Sequence, residues 1–247
     1  MTEQDLTIPM PDGTADAVLF SPDSSTPLPG VIHLPDIGGI REAHRSMARR
    51  LSHEGYTVLL VNPFYRTSRS PVFDFPRVSG EPRTMQRMAE LMGPLTAHAQ
   101  ERDVAAYVDF LEAHPAFRPG QMGVVGYCFS GAMALRAAAV RSSLIAAAAS
   151  FHGGGLYKAG DPTSPHLVLP QVVARLYFGH ADQDKSMDAT AIQGLNQALA
   201  DWGEEYESEI YVGARHGWTV PDNPVFNPEQ ADRAFEKLTT LLAQTIA

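Results

Sequence analysis

The chain has 247 residues, of which 44% are hydrophobic and 19% charged, a balance ordinary for one α/β unit with a sizeable core. A net charge of -9 opposes phosphate backbones and anionic membrane surfaces, so nucleic-acid and membrane partners are set aside. A single cysteine excludes an intrachain disulfide and a zinc site built on paired cysteines.

The N-terminal stretch Met1 to Pro11 is polar and carries Glu3 and Asp5, without a charged-then-apolar signal pattern. No apolar run reaches the length of a membrane span, so a cytoplasmic protein is expected. Ala17 to Phe20 reads as an early strand, and Gly30 to Leu34 as a second, stopped by Pro35. Arg41 to His53 is helical in pattern, and Tyr56 to Val61 is a buried strand rich in β-branched residues. Asn62 to Pro94 is the least regular stretch, with several prolines and arginines; it reads as a cover of loops or short helices. Val104, Tyr107, Val108 and Leu111 fall on one helix face within Glu101 to His114.

Strands then alternate with helices to the end of the chain. Met122 to Tyr127, Ile145 to Phe151, Ala174 to Phe178 and Tyr206 to Val212 are the strands. Ala132 to Val140 is a helix, and Ile192, Leu195, Leu199 and Trp202 line another. The last helix starts at Asn227, a capping residue, followed by Pro228 and Glu229; Phe235, Leu238 and Leu242 form its buried side. Continuous apolar strands alternating with helices predict a mostly parallel, doubly wound α/β sheet in a three-layer αβα sandwich, with residues 1–247 forming one domain. Ligands in such sheets bind beyond the carboxyl ends of the strands.

The segment Gly126-Tyr127-Cys128-Phe129-Ser130-Gly131 joins a strand to a helix. A nucleophile elbow is a sharp turn of this kind, and small residues two before and two after the nucleophile let the backbone crowd there. Gly126 and Ser130 occupy those places around Cys128. Ser130 as nucleophile is the poorer fit, since it falls inside the helix. A helix N-terminus stabilises a thiolate, and the amide of Phe129 is placed to serve as an oxyanion donor. After the nucleophile, an acid and then a histidine are required in chain order. Asp182, in Gly179-His180-Ala181-Asp182 after a strand, is the expected acid, with Asp184 as competitor. His216, in Arg215-His216-Gly217-Trp218 between the last strand and last helix, is the expected base.

The pieces Gly126 to Gly131, Ser150-Phe151-His152-Gly153-Gly154, Gly179-x-x-Asp182 and His216-Gly217-Trp218 together resemble the dienelactone hydrolase family. The resemblance spans roughly Gly30 to Ala243. It implies the α/β-hydrolase fold, a Cys128–His216–Asp182 triad, and hydrolysis of an unsaturated lactone or small ester without a cofactor or metal. The family's acidic residue beside the nucleophile, usually a glutamate, corresponds to Asp36 in Leu34-Pro35-Asp36-Ile37-Gly38-Gly39, one methylene shorter. Its implied role is control of the thiol proton, and the amide of Ile37 would be the second oxyanion donor. The family's arginine shortly after the catalytic histidine is missing here. Arg66, Arg69, Arg77, Arg83 and Arg87 are the other arginines available for a substrate carboxylate. Tyr65, His152 and Trp218 are candidate pocket walls.

The leading expectation is therefore an ester or lactone hydrolase acting on a small molecule as a monomer or homodimer. The rival is a non-catalytic or regulatory small-molecule-binding protein on the same scaffold. A thiol redox enzyme is disfavoured because no second cysteine exists to resolve an oxidised thiol.

Overall fold

The computed structural model describes residues 1–247. Its strands are β1 (Thr2–Met10), β2 (Gly13–Ser21), β3 (Gly30–Leu34), β4 (Thr57–Val61), β5 (Met122–Tyr127), β6 (Ile145–Phe151), β7 (Arg175–Gln183) and β8 (Tyr206–Arg215). They form one sheet in the order β1-β2-β4-β3-β5-β6-β7-β8. From β4 across to β8 every pairing is parallel, whereas β1–β2 and β2–β4 are antiparallel. The helices are α1 (Glu42–His53), α2 (Pro82–Met92), α3 (Ala97–Glu112), α4 (Ser130–Val140), α5 (Ala189–Trp202) and α6 (Pro228–Thr245).

The central strands β3 and β4 are buried along their whole length, as their unbroken apolar sequences require. Their side chains alternate between two cores. Val31, Val58, Leu60 and Val125 face Ala48 and Leu51 of α1 and Ala234, Leu238 and Leu242 of α6. Ile32, Leu59, Val61 and Val124 face Val104, Tyr107 and Leu111 of α3, the body of α4, and Leu195 and Leu199 of α5. Three layers result, with α1 and α6 on one side and α3, α4 and α5 on the other. The side chain of Asn227 caps α6 by accepting from the Gln230 amide at 3.2 Å.

Three features differ from the sequence reading. The N-terminal residues form a strand because a turn at Pro11 and Asp12 folds them back on β2; only Ile8 and Met10 are buried, which hides the element in a polar segment. Within the irregular stretch 62–94, α2 carries Leu91 into a small core with Phe64, Val72 and Leu95. Ile37 and Phe129 pack against that core, so the stretch covers residues beside the β5–α4 turn. Finally, β7 runs on to Gln183, five residues past its apolar core at Phe178. No helix is long and apolar enough to cross a membrane.

The β5–α4 turn is crowded. A methyl group at Gly126 would overlap the carbonyl oxygen of Ser130, and one at Gly131 would overlap the Ser150 hydroxyl. Gly126→Ala is expected to destabilise the protein by at least about 2 kcal/mol, because backbone rather than a flexible side chain must yield. Urea unfolding of the variant beside the wild type measures this, and an unchanged midpoint contradicts the crowding.

Candidate active site

Cys128 directly follows β5, with Phe129 between it and the start of α4, and adopts the left-handed conformation with φ 62°. A non-glycine residue held there signals a backbone forced by its surroundings. Here the forcing groups are identifiable. The Cys128 amide donates to the Phe151 carbonyl and to Nδ1 of His152, both at 3.1 Å. Its carbonyl accepts from the amides of Gly131 at 3.1 Å and Gly154 at 3.2 Å. The Ser130 hydroxyl lies fully buried behind it, accepting from the Tyr127 amide at 2.9 Å and donating toward the carbonyl of Leu34 at 2.8 Å. Ser130 is thus a strut of the turn, committed on every side.

His152, itself at φ 41° and 1% exposed, sits beneath Cys128. Because Nδ1 accepts from the Cys128 amide, Nε2 carries the proton and donates to the Thr219 hydroxyl at 2.8 Å. Burial, reinforced by the neighbouring His216, holds its pKa well below the ordinary range, so the ring is neutral. The expectation that His152 and Trp218 line the pocket is corrected. Trp218 is completely buried between His152 and Tyr211, and neither residue lines the cavity beside Cys128. Tyr65 is also core: its hydroxyl donates to the buried carboxylate of Asp103 at 2.9 Å.

The cavity beside Cys128 measures about 650 Å³ and is walled by Phe129, Gly154, Gly155, Asp184, Ser186 and His216, with Lys158, Lys185 and Arg215 among its cations. Nδ1 of His216 pairs with Oδ2 of Asp184 at 2.6 Å. Asp182, the acid expected from the sequence, does not meet this histidine; it accepts from the Gly213 amide at 3.0 Å. The extra length of β7 is the physical reason. Asp182 still belongs to the strand, while Asp184 is the first residue beyond it, buried and aimed at the site. Ser186 holds the Asp184 carboxylate through its amide at 2.8 Å and its hydroxyl at 2.6 Å. Asp184-Lys185-Ser186 is a turn-favouring run, which suits a place just past the strand without setting Asp184 apart from Asp182 in the sequence.

These contacts set the charges. Burial disfavours the charged form of His216, but contacts with Asp184 and with the Cys128 thiol outweigh it and push the imidazole up to about 10. Burial likewise raises Asp184, yet the bond to His216 prevails and the carboxyl falls below its ordinary value.

Asp36 does not line the cavity. Its carboxylate grips Arg41 in a fork, at 2.6 and 3.0 Å, and accepts from the Gly38 amide at 2.8 Å. Burial opposes its charge, but His44 and Arg41 hold the carboxyl well below the usual range. It therefore shapes the turn that carries Ile37. The amides of Ile37 and Phe129 have no hydrogen-bond partner within the chain. The arginines of the irregular stretch are engaged elsewhere: Arg66 with Asp12 and Asp103, Arg83 with Asp74, and Arg87 with Glu90 and the Val72 carbonyl. Arg77 lies over the Phe73 ring, and neither it nor Arg69 lines the cavity. Arg215, Lys158 and Lys185 were not legible as site residues, since isolated surface cations give no local pattern.

A mostly parallel sheet with helices on both faces, a strained elbow and a part-buried acid–histidine pair at the strand ends define an α/β-hydrolase. The chain belongs to the dienelactone hydrolase family, whose model matches residues 15–246. It is 27% identical over 222 residues to a Bradyrhizobium protein named as a probable 2-oxo-3-(5-oxofuran-2-ylidene)propanoate lactonase, covering 89% of this chain and 85% of that one. A carboxymethylenebutenolidase of Rhodococcus opacus is 26% identical over 198 residues, covering 78% and 73%. Among solved structures, a dienelactone hydrolase-like promiscuous phosphotriesterase from metagenomic libraries superposes with a TM-score of 0.81 at 18% identity, covering 100% and 99% of the two chains, a likeness of fold.

Asp184→Asn is expected to bring the His216 midpoint down from about 10 toward its ordinary 6.5, whereas Asp182→Asn leaves it in place. NMR titration of the imidazole checks this. The sign for stability follows from linkage: a raised folded-state pKa stabilises fully below pH 6.5 and is lost as pH climbs toward 10. Denaturation midpoints between those limits should fall in the wild type and stay flatter in Asp184→Asn.

Proposed function

We propose that the protein hydrolyses a small ester or lactone, with Cys128 as nucleophile, His216 as general acid and base, and Asp184 orienting the imidazole. The observation that carries this reading is the left-handed Cys128, which shares one cavity with the charged His216–Asp184 pair. The raised pKa of the imidazole keeps a proton on His216, beside the attacking sulfur and ready for the leaving oxygen.

In the first half-reaction the Cys128 sulfur bonds to the substrate carbonyl carbon, and the carbonyl π electrons move onto oxygen. The free amide of Phe129, in the cavity wall, receives that developing oxyanion, and the unpaired amide of Ile37 is assigned as the second donor. As the tetrahedral adduct collapses, the bond to the leaving oxygen breaks, and imidazolium His216 delivers its proton to that oxygen. A thioester results; from a lactone the alcohol stays tethered to the acyl group. Neutral His216 then removes a proton from water, the resulting hydroxide attacks the thioester, and sulfur departs as thiolate while the carboxylic acid forms. Asp184 holds the ring in the tautomer that directs Nε2 at the sulfur and steadies its positive charge.

Belonging to the dienelactone hydrolase family makes a lactone with a conjugated double bond the leading substrate class. Lys158, Lys185 and Arg215 around the cavity suit a substrate that carries a carboxylate, the feature shared by the acid named for the Bradyrhizobium relative. Asp36 serves this reaction by shaping the Ile37 turn through Arg41 and Gly38.

Turnover of p-nitrophenyl acetate tests the assignment. Cys128→Ala should lower kcat by at least about a thousandfold with an unchanged thermal midpoint, and Asp184→Ala by at least about a hundredfold. Asp182→Ala should remain within about threefold of wild type, since its carboxylate serves only a strand-edge amide. Full activity in purified Cys128→Ala overturns the proposal.

A further inference from the structure

A second cavity lies behind the elbow, on the sheet face carrying α1 and α6. It encloses about 260 Å³. Met47 and Leu51 of α1, Phe235 and Leu238 of α6, and Phe151 of β6 make its walls apolar. Tyr127, the residue before the nucleophile, enters from β5 and is 5% exposed. Its ring is fixed by stacking on Phe151, with centroids 5.7 Å apart, and against His33 at 4.9 Å. Its hydroxyl makes no hydrogen bond within the protein, unlike those of the buried Tyr65, Tyr107 and Tyr177. The hydroxyl oxygen reaches the cavity space, where water or a ligand supplies the missing partner.

The mouth is neutral overall. Arg50 pairs with Asp232 at 2.7 Å and lies over the Phe235 ring at 3.8 Å, so its charge is spent locally. An ionised ligand would gain no counter-charge there and would lose its hydration among apolar walls. The volume lies just below the usual lower limit of ligand pockets, roughly 300 Å³, and suits one ring with a short chain.

We propose that this cavity is a second small-molecule site, for a neutral, mostly apolar, single-ring compound whose one hydroxyl or carbonyl meets the Tyr127 hydroxyl. The site is distinct from the Cys128 cavity, with which it shares no lining residue. It nonetheless adjoins the elbow from behind. Tyr127 precedes Cys128, the Phe151 carbonyl accepts from the Cys128 amide, and Thr219 in the wall holds His152.

The probe is 4-propylphenol, with propylbenzene as its non-hydrogen-bonding control, titrated into the whole protein by calorimetry. Saturable submillimolar binding of the phenol is expected, about tenfold tighter than propylbenzene. Tyr127→Phe should abolish that preference. Ala231→Trp places a bulky ring at the half-buried rim and should weaken the phenol at least about tenfold while leaving the thermal midpoint in place. NOEs from the ring protons to the methyl groups of Met47 and Leu238 locate the bound molecule. Absence of saturable binding, undiminished affinity in Ala231→Trp, or NOEs only to residues of the Cys128 cavity each overturn the proposal. Because binding and not turnover is read, an inactive Cys128 would leave this result untouched.

Discussion

The working end of this molecule depends on holding one cysteine where the backbone resists being. A left-handed conformation costs a residue with a Cβ roughly 1–3 kcal/mol, and nothing in Cys128 itself offsets that. The compensation comes from neighbours on two other segments: Phe151 and His152 receive its amide, while Gly131 and Gly154 donate to its carbonyl. Ser130 ties the same turn to the end of β3. Glycines at 126 and 131 are required because these contacts leave no room for a side chain. The elbow is therefore a product of β5, β6 and α4 packed together, and its strain points the thiol into the open cavity instead of the core.

Two histidines stand with ring centroids 5.2 Å apart at this turn, and their opposite charge states let them coexist. His152 is buried, neutral and bonded to the elbow's amide and to Thr219, so it acts as a rigid support. His216 is partly open to the cavity and charged, because Asp184 and Cys128 outweigh its desolvation. Were both protonated, their repulsion at this distance would oppose the geometry. Ser186 extends the order outward by pinning the free oxygen of Asp184.

The acidic chain concentrates positive charge at one place of chemical interest. Most of its arginines are absorbed by ion pairs on the surface, such as Arg45 and Arg49 with Glu3. Lys185 and Arg215 have no carboxylate partner and stand at the cavity of Cys128. The stretch 62–94 completes the surroundings by seating Phe64 against Phe129, with rings 5.3 Å apart, so the amide of Phe129 is held from the far side.

The sequence by itself determined the sheet-and-helix alternation, because apolar runs in β3 to β6 reflect burial on both faces, a property local enough to read in each segment. It likewise marked Cys128 and His216, since a strand-to-helix turn and a histidine before the last helix are features of neighbouring residues. Tertiary structure alone decided between Asp182 and Asp184. Two aspartates two residues apart look alike in the chain, and only the pairing of β7 with β8, which extends to Gln183 and Arg215, separates the strand-edge carboxylate from the one delivered to the site. The same limit applies to Tyr65, His152 and Trp218: an aromatic residue near a motif reads the same whether it faces a ligand or the core, and the choice rests on partners that only folding brings together, His152 for Trp218 and Asp103 for Tyr65.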